Sequence, residues 1–172
     1  SIDITKKDIK LVKRTNLECE FGYRNSYFKK HDGQEIIIEA TFSLQKGEPV
    51  AIAQSVAEKI NYRKMRHPME YPNIGSIFKN VDLRMIAKNK QEDFLHVVKS
   101  DPFPVVPTAY LITEAGLKGV SFGGAMISPK HPNFIVNSLN ASSDDVEHLI
   151  KLVKTTVKKK FGIELEEEII YV

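Results

Sequence analysis

The chain has 172 residues, 42% of them hydrophobic, so it can bury the core of one ordinary domain or of a smaller domain plus part of another. Its 25 basic and 22 acidic side chains give a formal net charge of +3, which suits small anionic ligands better than nucleic acid. No apolar run is long enough to predict a membrane span, the start lacks a signal-peptide pattern, and the single Cys19 excludes an internal disulfide. We therefore expect a cytoplasmic protein.

Alternating apolar and polar residues predict strands in the first part of the chain. Ser1 to Lys13 alternates around a polar break at Lys6 to Asp8, which predicts a two-stranded hairpin. After an aromatic-rich stretch at 18–30, the β-rich segment from Glu35 to Leu44 predicts a further strand.

From Pro49 the apolar spacing changes to that of a helix. Apolar residues recur at helical intervals as far as Ile60, and proline suits a first helical turn, so we predict a helix from Pro49 to about Arg66. Its last turns carry the cations Lys59, Arg63, Lys64 and Arg66. These cations either complement the helix dipole or bind an anion, and the pattern leaves both explanations open.

The next part of the chain is predicted as an insertion followed by a short helix. Residues 82–101 are ambiguous between strand and helical turns. The prolines within 102–107 force extended backbone, and Thr108 is a candidate cap for a helix over 109–115.

The remaining elements complete an α+β pattern. They are a glycine-kinked strand within Val120–Ser128, a strand at Phe134–Asn137, a long helix capped by Ser142 or Ser143 and ended by Gly162, and a strand at Ile163–Val172. We predict a mixed sheet packed by three to four helices.

The stretch His67–Asn80 is the strongest candidate for a ligand-binding loop, because Ser76 follows a glycine and is flanked by prolines and a lysine. No neighbouring base marks Ser76 as a nucleophile, but a fixed serine can donate a proton. From the residues alone, Ser76, Arg24 and Glu168 each have a structural explanation as well as a functional one. The five histidines show no metal-binding spacing, so no metal site is predicted.

Several stretches, taken together, resemble one enzyme family. They are Phe21–Ser26, Pro68–Asn80, Ala109–Gly119, Gly124–Ser128, His131–Asn137 and Phe161–Glu166. In these motifs and in their order the chain resembles UDP-N-acetylenolpyruvoylglucosamine reductase, the MurB family of cell-wall synthesis. The direct run Tyr71-Pro72-Asn73 resembles the branch of the family that lacks an extra tyrosine-bearing substrate loop.

The resemblance implies an activity and cofactors. The family reduces the enolpyruvyl ether of UDP-N-acetylglucosamine to UDP-N-acetylmuramate for peptidoglycan synthesis, and hydride passes from NADPH through FAD. By this resemblance Ser76 protonates the substrate carbon, Arg24 stabilises the enolate-like intermediate beside the cofactor, and Glu168 assists. Nearby Glu164, Glu166 and Glu167 leave the register of that last glutamate open by one or two residues.

The resemblance also implies substrate contacts. Arg63 resembles the family's diphosphate-contacting arginine. The other candidate contacts are Asn80, Asn133, Arg66 and Lys79.

The same resemblance predicts how the chain divides. Residues 1–46 resemble the C-terminal part of an FAD-binding domain, and 47–172 resemble the UDP-sugar-binding domain, with an insertion near 82–106. The chain does not begin with Met, which suggests a fragment or a processed chain, and the family holds FAD chiefly through N-terminal glycine-rich loops. We therefore expect the FAD site to be largely absent and the isolated chain to be inactive.

Two alternatives remain. One is a non-catalytic UDP-sugar-binding module. The other is a nucleic-acid-binding domain, which rests only on the net charge and on Lys158–Lys160. We expect no membrane or metal partner.

Overall fold

Three short strands organise the first part of the chain. The computed structural model describes residues 1–5 and 10–171, and it divides the chain into two units, Ser1–Pro49 and Val50–Val172. In the first unit, strands β1 (Ile2–Asp3), β2 (Lys10–Leu11) and β3 (Glu35–Ile36) form an antiparallel sheet in the order β2-β1-β3. The predicted pairing of the first two strands is confirmed, whereas the polar break at 6–8 and Ile9 lie outside the described residues.

Polar and aromatic contacts hold this sheet to the aromatic-rich stretch. The carboxylate of Glu35 accepts a hydrogen bond from the Ser1 hydroxyl at 2.6 Å and forms an ion pair with Arg14. The Arg14 guanidinium lies 3.7 Å from the ring centroid of Tyr27, the first residue of helix α1 (Tyr27–Lys30). Ser26 caps α1 by accepting a hydrogen bond from the Lys29 amide.

The predicted strand from Glu35 to Leu44 is wrong beyond Ile36. Residues 37–48 have no regular secondary structure, and Ile37, Ile38 and Phe42 are exposed. The paired part of β1 is only two residues long, so among the described residues this segment has no ladder partner. High β propensity does not make a strand where the backbone groups have nothing to pair with.

The second unit combines two sheets with four α-helices. The strands are β4 (Asn73–Ser76), β5 (Val81–Asp82), β6 (Val105–Val106), β7 (Ser121–Phe122), β8 (Ala125–Ile127) and β9 (Phe134–Asn137). The helices are α2 (Pro49–Arg66), α3 (Lys88–Gln91), α4 (Thr108–Glu114) and α5 (Ser143–Phe161), with 3-10 turns at Leu83–Met85 and Glu92–Val97. One sheet has the order β4-β9-β8-β7, and β5 pairs with β6.

The α+β class is confirmed, but the sheets are not mixed. Every pairing between described strands is antiparallel. Short connections such as those joining β7 to β8 and β8 to β9 return the chain in the opposite direction, whereas parallel neighbours need a long crossover.

The predicted kinked strand at 120–128 is instead the hairpin of β7 and β8. Gly123 and Gly124 form its turn, and Gly123 has a φ of +51°. Asp145 packs against this turn, where its carboxylate accepts a hydrogen bond from the Gly124 amide at 3.1 Å. A Cβ atom on Gly123 would lie 2.1 Å from that carboxylate, so the turn requires glycine.

Helix α5 forms one wall of the core. Ser142 rather than Ser143 is its cap, in a reciprocal capping box with Asp145, and Gly162 ends it with a φ of +74°. One face of the helix is buried at Leu149, Ile150, Val153 and Val157, each contributing about 1.5–3 kcal/mol of burial free energy.

The predicted insertion near 82–106 is part of that core. Ile86 and Phe94 are 4% and 5% exposed, and the ring centroids of Phe94 and Phe161 are 6.0 Å apart. The Lys90 ammonium donates a hydrogen bond to the Phe161 carbonyl at 3.0 Å, which satisfies one carbonyl at the end of α5.

Two further predictions are modified. Helix α2 has the predicted bounds, but none of its residues is buried. The predicted strand at 163–172 is reduced to a single bridge between Glu167 and Phe78, and Val172 lies outside the described residues. Among the helices of residues 1–5 and 10–171, none combines the length and apolar character needed to span a bilayer.

Candidate functional site

Ser76 is the last residue of β4, and the side chain of Asn73, the first residue of this strand, hydrogen-bonds to nearby backbone groups. The Asn73 amide nitrogen donates to the carbonyls of Pro68 and Tyr71, and its oxygen accepts from the Gly75 amide at 3.1 Å. Gly75 has a φ of +90°, and the ladder to β9 shifts register between Asn73 and Ser76. The predicted serine loop is therefore an irregular strand end, held rigidly next to β9 and half-buried at Ser76.

Asn133 supports the residues that follow Ser76. Its side-chain oxygen accepts a hydrogen bond from the Phe78 amide at 3.0 Å, and its nitrogen donates to the Phe78 carbonyl at 2.8 Å. Its own carbonyl accepts from the Ile77 amide. Because Asn133 is only 4% exposed, these contacts give it a structural role, and its predicted substrate contact stays a prediction.

The C-terminal segment runs beside the same residues. The Glu168 amide donates to the Ile77 carbonyl at 2.8 Å, and the Lys79 amide donates to the Glu166 carbonyl at 2.9 Å. Glu168 thus lies opposite Ile77, one residue from Ser76. Of the four terminal glutamates, Glu168 has the backbone position nearest to Ser76.

The other three glutamates form ion pairs with lysines. Glu164 pairs with Lys158, Glu166 with Lys79 and Glu167 with Lys154. The Lys154 contact lowers the pKa of Glu167, and the hydrogen bond from the Tyr171 hydroxyl to Glu167 raises the pKa of Tyr171 to about 12. Lys79, a predicted substrate contact, is therefore held beside the C-terminal segment.

Asn80 and Thr108 connect the segment between β4 and β5 to α4. The Asn80 side-chain oxygen accepts from the Thr108 amide at 3.2 Å, and the Thr108 hydroxyl donates to the Lys79 carbonyl at 2.5 Å. The prediction that Thr108 caps α4 is wrong, because Pro107 is the cap residue and the threonine hydroxyl instead donates to the Lys79 carbonyl, between β4 and β5.

Arg24 lies in the first unit, in a tight turn. Gly22 and Asn25 exchange backbone hydrogen bonds of 3.0 and 3.2 Å, and Arg24 between them has a φ of +54°. Its guanidinium carbon lies 5.6 Å from the Tyr23 ring centroid. A positive φ is uncommon for arginine and is a mark of a constrained position.

A surface cleft of about 430 Å³ lies beside the end of α2. We call it the cationic cleft, because Arg66, Lys118 and Lys130 line it, and the Lys130 ammonium is ion-paired with Glu70 at 3.2 Å. Its lining residues are Met65, Arg66, Ala109, Tyr110, Thr113, Lys118, Lys130, His131 and Pro132. Arg66 was predicted from sequence as a substrate contact, whereas Arg63 is exposed one turn earlier and does not line the cleft.

The cationic cleft adjoins the Ser76 strand. Lys130, His131 and Pro132 enter β9, and Phe134 of that strand pairs with Ser76. Two residues of extended chain span at most about 7 Å, so the cleft wall and the Ser76 pairing partner are close neighbours.

Two histidines fix the junction between α2 and this wall. The ring centroids of His67 and His131 are 5.3 Å apart, and both rings pack against Phe134. Burial lowers the pKa of both histidines, with further lowering of the His67 pKa by Arg63 and Lys130. The His131 Nδ1 atom is buried without a hydrogen-bond partner. The junction therefore favours neutral imidazoles.

Tyr110, Lys118, Lys130 and His131 were not predicted as site residues. Tyr110, Lys118 and His131 occur in stretches that carry the family resemblance, so that signal was present, but their convergence with Lys130 depends on the tertiary fold. Among the described residues, no three His, Cys, Asp or Glu side chains are grouped as metal ligands.

These features define an α+β domain in which a cation-lined cleft adjoins a strand that ends at a half-buried serine. The family model of the UDP-N-acetylenolpyruvoylglucosamine reductase C-terminal domain matches residues 67–172. The chain therefore belongs to the UDP-N-acetylenolpyruvoylglucosamine reductase family.

Individual relatives agree with this membership. The reductase of Clostridium novyi is 36% identical over 93% of this chain and 44% of its own length, and that of Fervidobacterium nodosum is 38% identical over 95% and 45%. The crystal structure of UDP-N-acetylenolpyruvylglucosamine reductase (MurB) from Thermus caldophilus matches with a TM-score of 0.64 and 26% identity, covering 97% of this chain and 50% of that chain. The chain spans less than half the length of these two sequence relatives.

Proposed function

We propose that this chain provides the substrate-binding and proton-donating part of a UDP-N-acetylenolpyruvoylglucosamine reductase. The observation that carries the proposal is that Ser76 pairs with Phe134 of β9, which the cationic cleft adjoins, while the Glu168 amide donates to the carbonyl of Ile77, the residue after Ser76. The names of the matching relatives support the same reaction.

The proposed reaction needs a proton donor and a fixed cation. Hydride addition to an enol ether conjugated with a carboxylate leaves an electron pair and negative charge on the neighbouring carbon. Ser76 is proposed to donate its hydroxyl proton to that carbon, which completes the reduction. Glu168 assists this transfer, and the Arg24 guanidinium stabilises the developing charge.

The described residues of this chain do not fit a complete FAD site. A dinucleotide diphosphate is usually held by consecutive backbone N–H groups of a glycine-rich turn. Within residues 1–5 and 10–49 the glycines are Gly22, Gly33 and Gly47, and they lie far apart in the sequence. Apart from Arg24, we assign no residue here to FAD or NADPH.

The cationic cleft is proposed to hold the diphosphate of the UDP-sugar. Arg66, Lys118 and Lys130 line it. Phosphate oxygens accept charge-assisted hydrogen bonds, which are stronger than neutral ones. By the family resemblance Arg63 remains a proposed diphosphate contact, and Lys79, Asn80 and Asn133 remain proposed contacts for the substrate.

Three further parts of the proposal rest on family membership. Residues 1–46 are proposed to be the C-terminal part of an FAD-binding domain, and 47–172 the substrate domain. The product would serve peptidoglycan synthesis. A cytoplasmic location is included, because a charged nucleotide sugar does not cross a bilayer unaided.

Calorimetric titration of the chain with UDP-N-acetylglucosamine tests the binding part. Arg66→Ala should weaken binding about tenfold, the loss of one charge-assisted contact of about 1.4 kcal/mol. The matched control Arg84→Ala, an exposed arginine paired with Asp82 outside the cleft, should bind like the parent. Absence of binding by the parent, or equal binding by Arg66→Ala, would contradict the placement of the diphosphate.

A further inference from the structure

Within the segment predicted as an insertion near 82–106, the His96 side chain contacts Tyr110, a residue of the cationic cleft. The Nε2 atom of His96 lies 3.2 Å from the hydroxyl oxygen of Tyr110, and the two rings meet edge to face with centroids 5.5 Å apart. Tyr110 lines the cleft, whereas His96 does not. The histidine therefore contacts a residue that lines the cleft without lining the cleft itself.

Both partners are carried by anchored backbone. His96 belongs to the 3-10 turn Glu92–Val97 and follows Phe94, whose ring is buried against Phe161. Tyr110 lies in α4 between Thr108 and Leu111, which are both fully buried. The hydrogen bond thus joins two rigid elements and can fix the tyrosine side chain at little further cost in conformational entropy.

We propose that His96 is a positioning residue for nucleotide-diphosphate binding, acting through Tyr110. This inference rests on the function proposed for the cationic cleft. In it the Nε2–H group of His96 donates to the Tyr110 oxygen, and the tyrosine O–H is left to donate to a phosphate oxygen in the cleft.

The chemistry of the two groups supports this direction. A phosphate oxygen accepts hydrogen bonds and has none to donate, so a tyrosine beside it must present its only proton to the anion. The tyrosine oxygen can then only accept from its other neighbour. An imidazole with hydrogen on Nε2 supplies that donor, and a hydrogen bond accepted by a hydroxyl strengthens the one that it donates.

Titration of the full 172-residue chain with UDP-N-acetylglucosamine tests the inference. His96→Ala and Tyr110→Phe should each weaken binding about three- to tenfold, the effect of one neutral hydrogen bond. The double variant should bind no more weakly than Tyr110→Phe alone, since both changes remove the same interaction. His96→Gln, which keeps an N–H donor, should recover most of the affinity.

The matched control is His148→Ala, an exposed histidine that stacks on Phe122 away from the cleft. It should bind like the parent. His96→Ala binding with parental affinity would overturn the inference, as would single effects that multiply in the double variant. If Arg66→Ala weakens binding and His96→Ala does not, only this inference fails; if the parent does not bind the nucleotide, the proposed function fails with it.

Discussion

Replacement of Asn133 by alanine should strongly destabilise the strand that carries Ser76. The asparagine amide makes two hydrogen bonds to Phe78, at 3.0 and 2.8 Å, and both residues are almost completely buried. Alanine would leave the amide and the carbonyl of Phe78 without partners in the core. Each buried unsatisfied group costs about 1–3 kcal/mol, so the free energy of unfolding should fall by about 2–6 kcal/mol for the two groups.

Urea unfolding followed by circular dichroism at 25 °C measures this loss. The matched control is Asn137→Ala, because Asn137 is exposed and accepts one hydrogen bond, from the Ala141 amide at 2.9 Å. Its loss should be about 0.5–1.5 kcal/mol. A loss below about 1 kcal/mol for Asn133→Ala, or a loss equal to that of the control, would refute the structural role.

The same pair of variants separates structure from substrate contact. If Asn133 serves mainly as a substrate ligand, its alanine variant should keep the parental unfolding free energy and lose affinity for UDP-N-acetylglucosamine. The hydrogen bonds to Phe78 predict instead that the main effect of Asn133→Ala is a lower free energy of unfolding.

Three further outcomes are expected. The isolated chain should purify without flavin absorbance and should not oxidise NADPH; a stoichiometric flavin spectrum would contradict this. Gly123→Ala should reduce the free energy of unfolding by about 1–3 kcal/mol, because the new Cβ atom meets the Asp145 carboxylate. The control Gly119→Ala should reduce it by less, because Gly119 also has a positive φ but has open space where the Cβ atom would lie. The pKa values of His67 and His131 are lower in the folded chain than in the unfolded chain. As the pH falls, these histidines are therefore protonated in the unfolded chain before they are protonated in the folded one. The free energy of unfolding should then decrease as the pH drops through about 6.5. The variant His67→Phe/His131→Phe should show a shallower fall in thermal midpoint between pH 7.5 and 5.5, and an unchanged slope would count against the buried pair.

Elements with local signals could be predicted from the sequence. Helix α5 has an apolar stripe, a capping serine and a terminal glycine, and all three act within a few residues of the helix. The bounds of α2 follow from Pro49 and the helical spacing in the same way. The choice between Ser142 and Ser143 required the geometry of the hydrogen bond to Asp145.

Strands were predicted less well, because their stability depends on a distant partner. Residues 37–44 have β-rich composition but no ladder among the described residues, and the C-terminal segment pairs with Phe78 at one position only. At 120–128 the two consecutive glycines marked a turn rather than a kink.

The residues of the candidate site also differ in whether a sequence signal or only the tertiary fold identifies them. The residue pattern indicated the Ser76 loop and the basic helix end, whereas the roles of Ser76, Glu168 and Arg66 were implied by the family resemblance. The cationic cleft joins α2, α4 and the loop entering β9, and no local pattern records that convergence. Tyr110 lies in a stretch that carries the family resemblance, but its place in the cleft and its contact with His96 could be recognised only from the folded chain.

The most direct test of the central claim is turnover by the chain joined to the N-terminal half of a relative such as the Clostridium novyi reductase. The assay follows NADPH oxidation and formation of UDP-N-acetylmuramate from the enolpyruvyl substrate. If Ser76 is the proton donor, Ser76→Ala should bind UDP-N-acetylglucosamine with parental affinity and lose about 10²–10⁴-fold in kcat. A Ser76→Ala protein that forms product within a few-fold of the parental rate would contradict the account and favour a module that only binds the UDP-sugar.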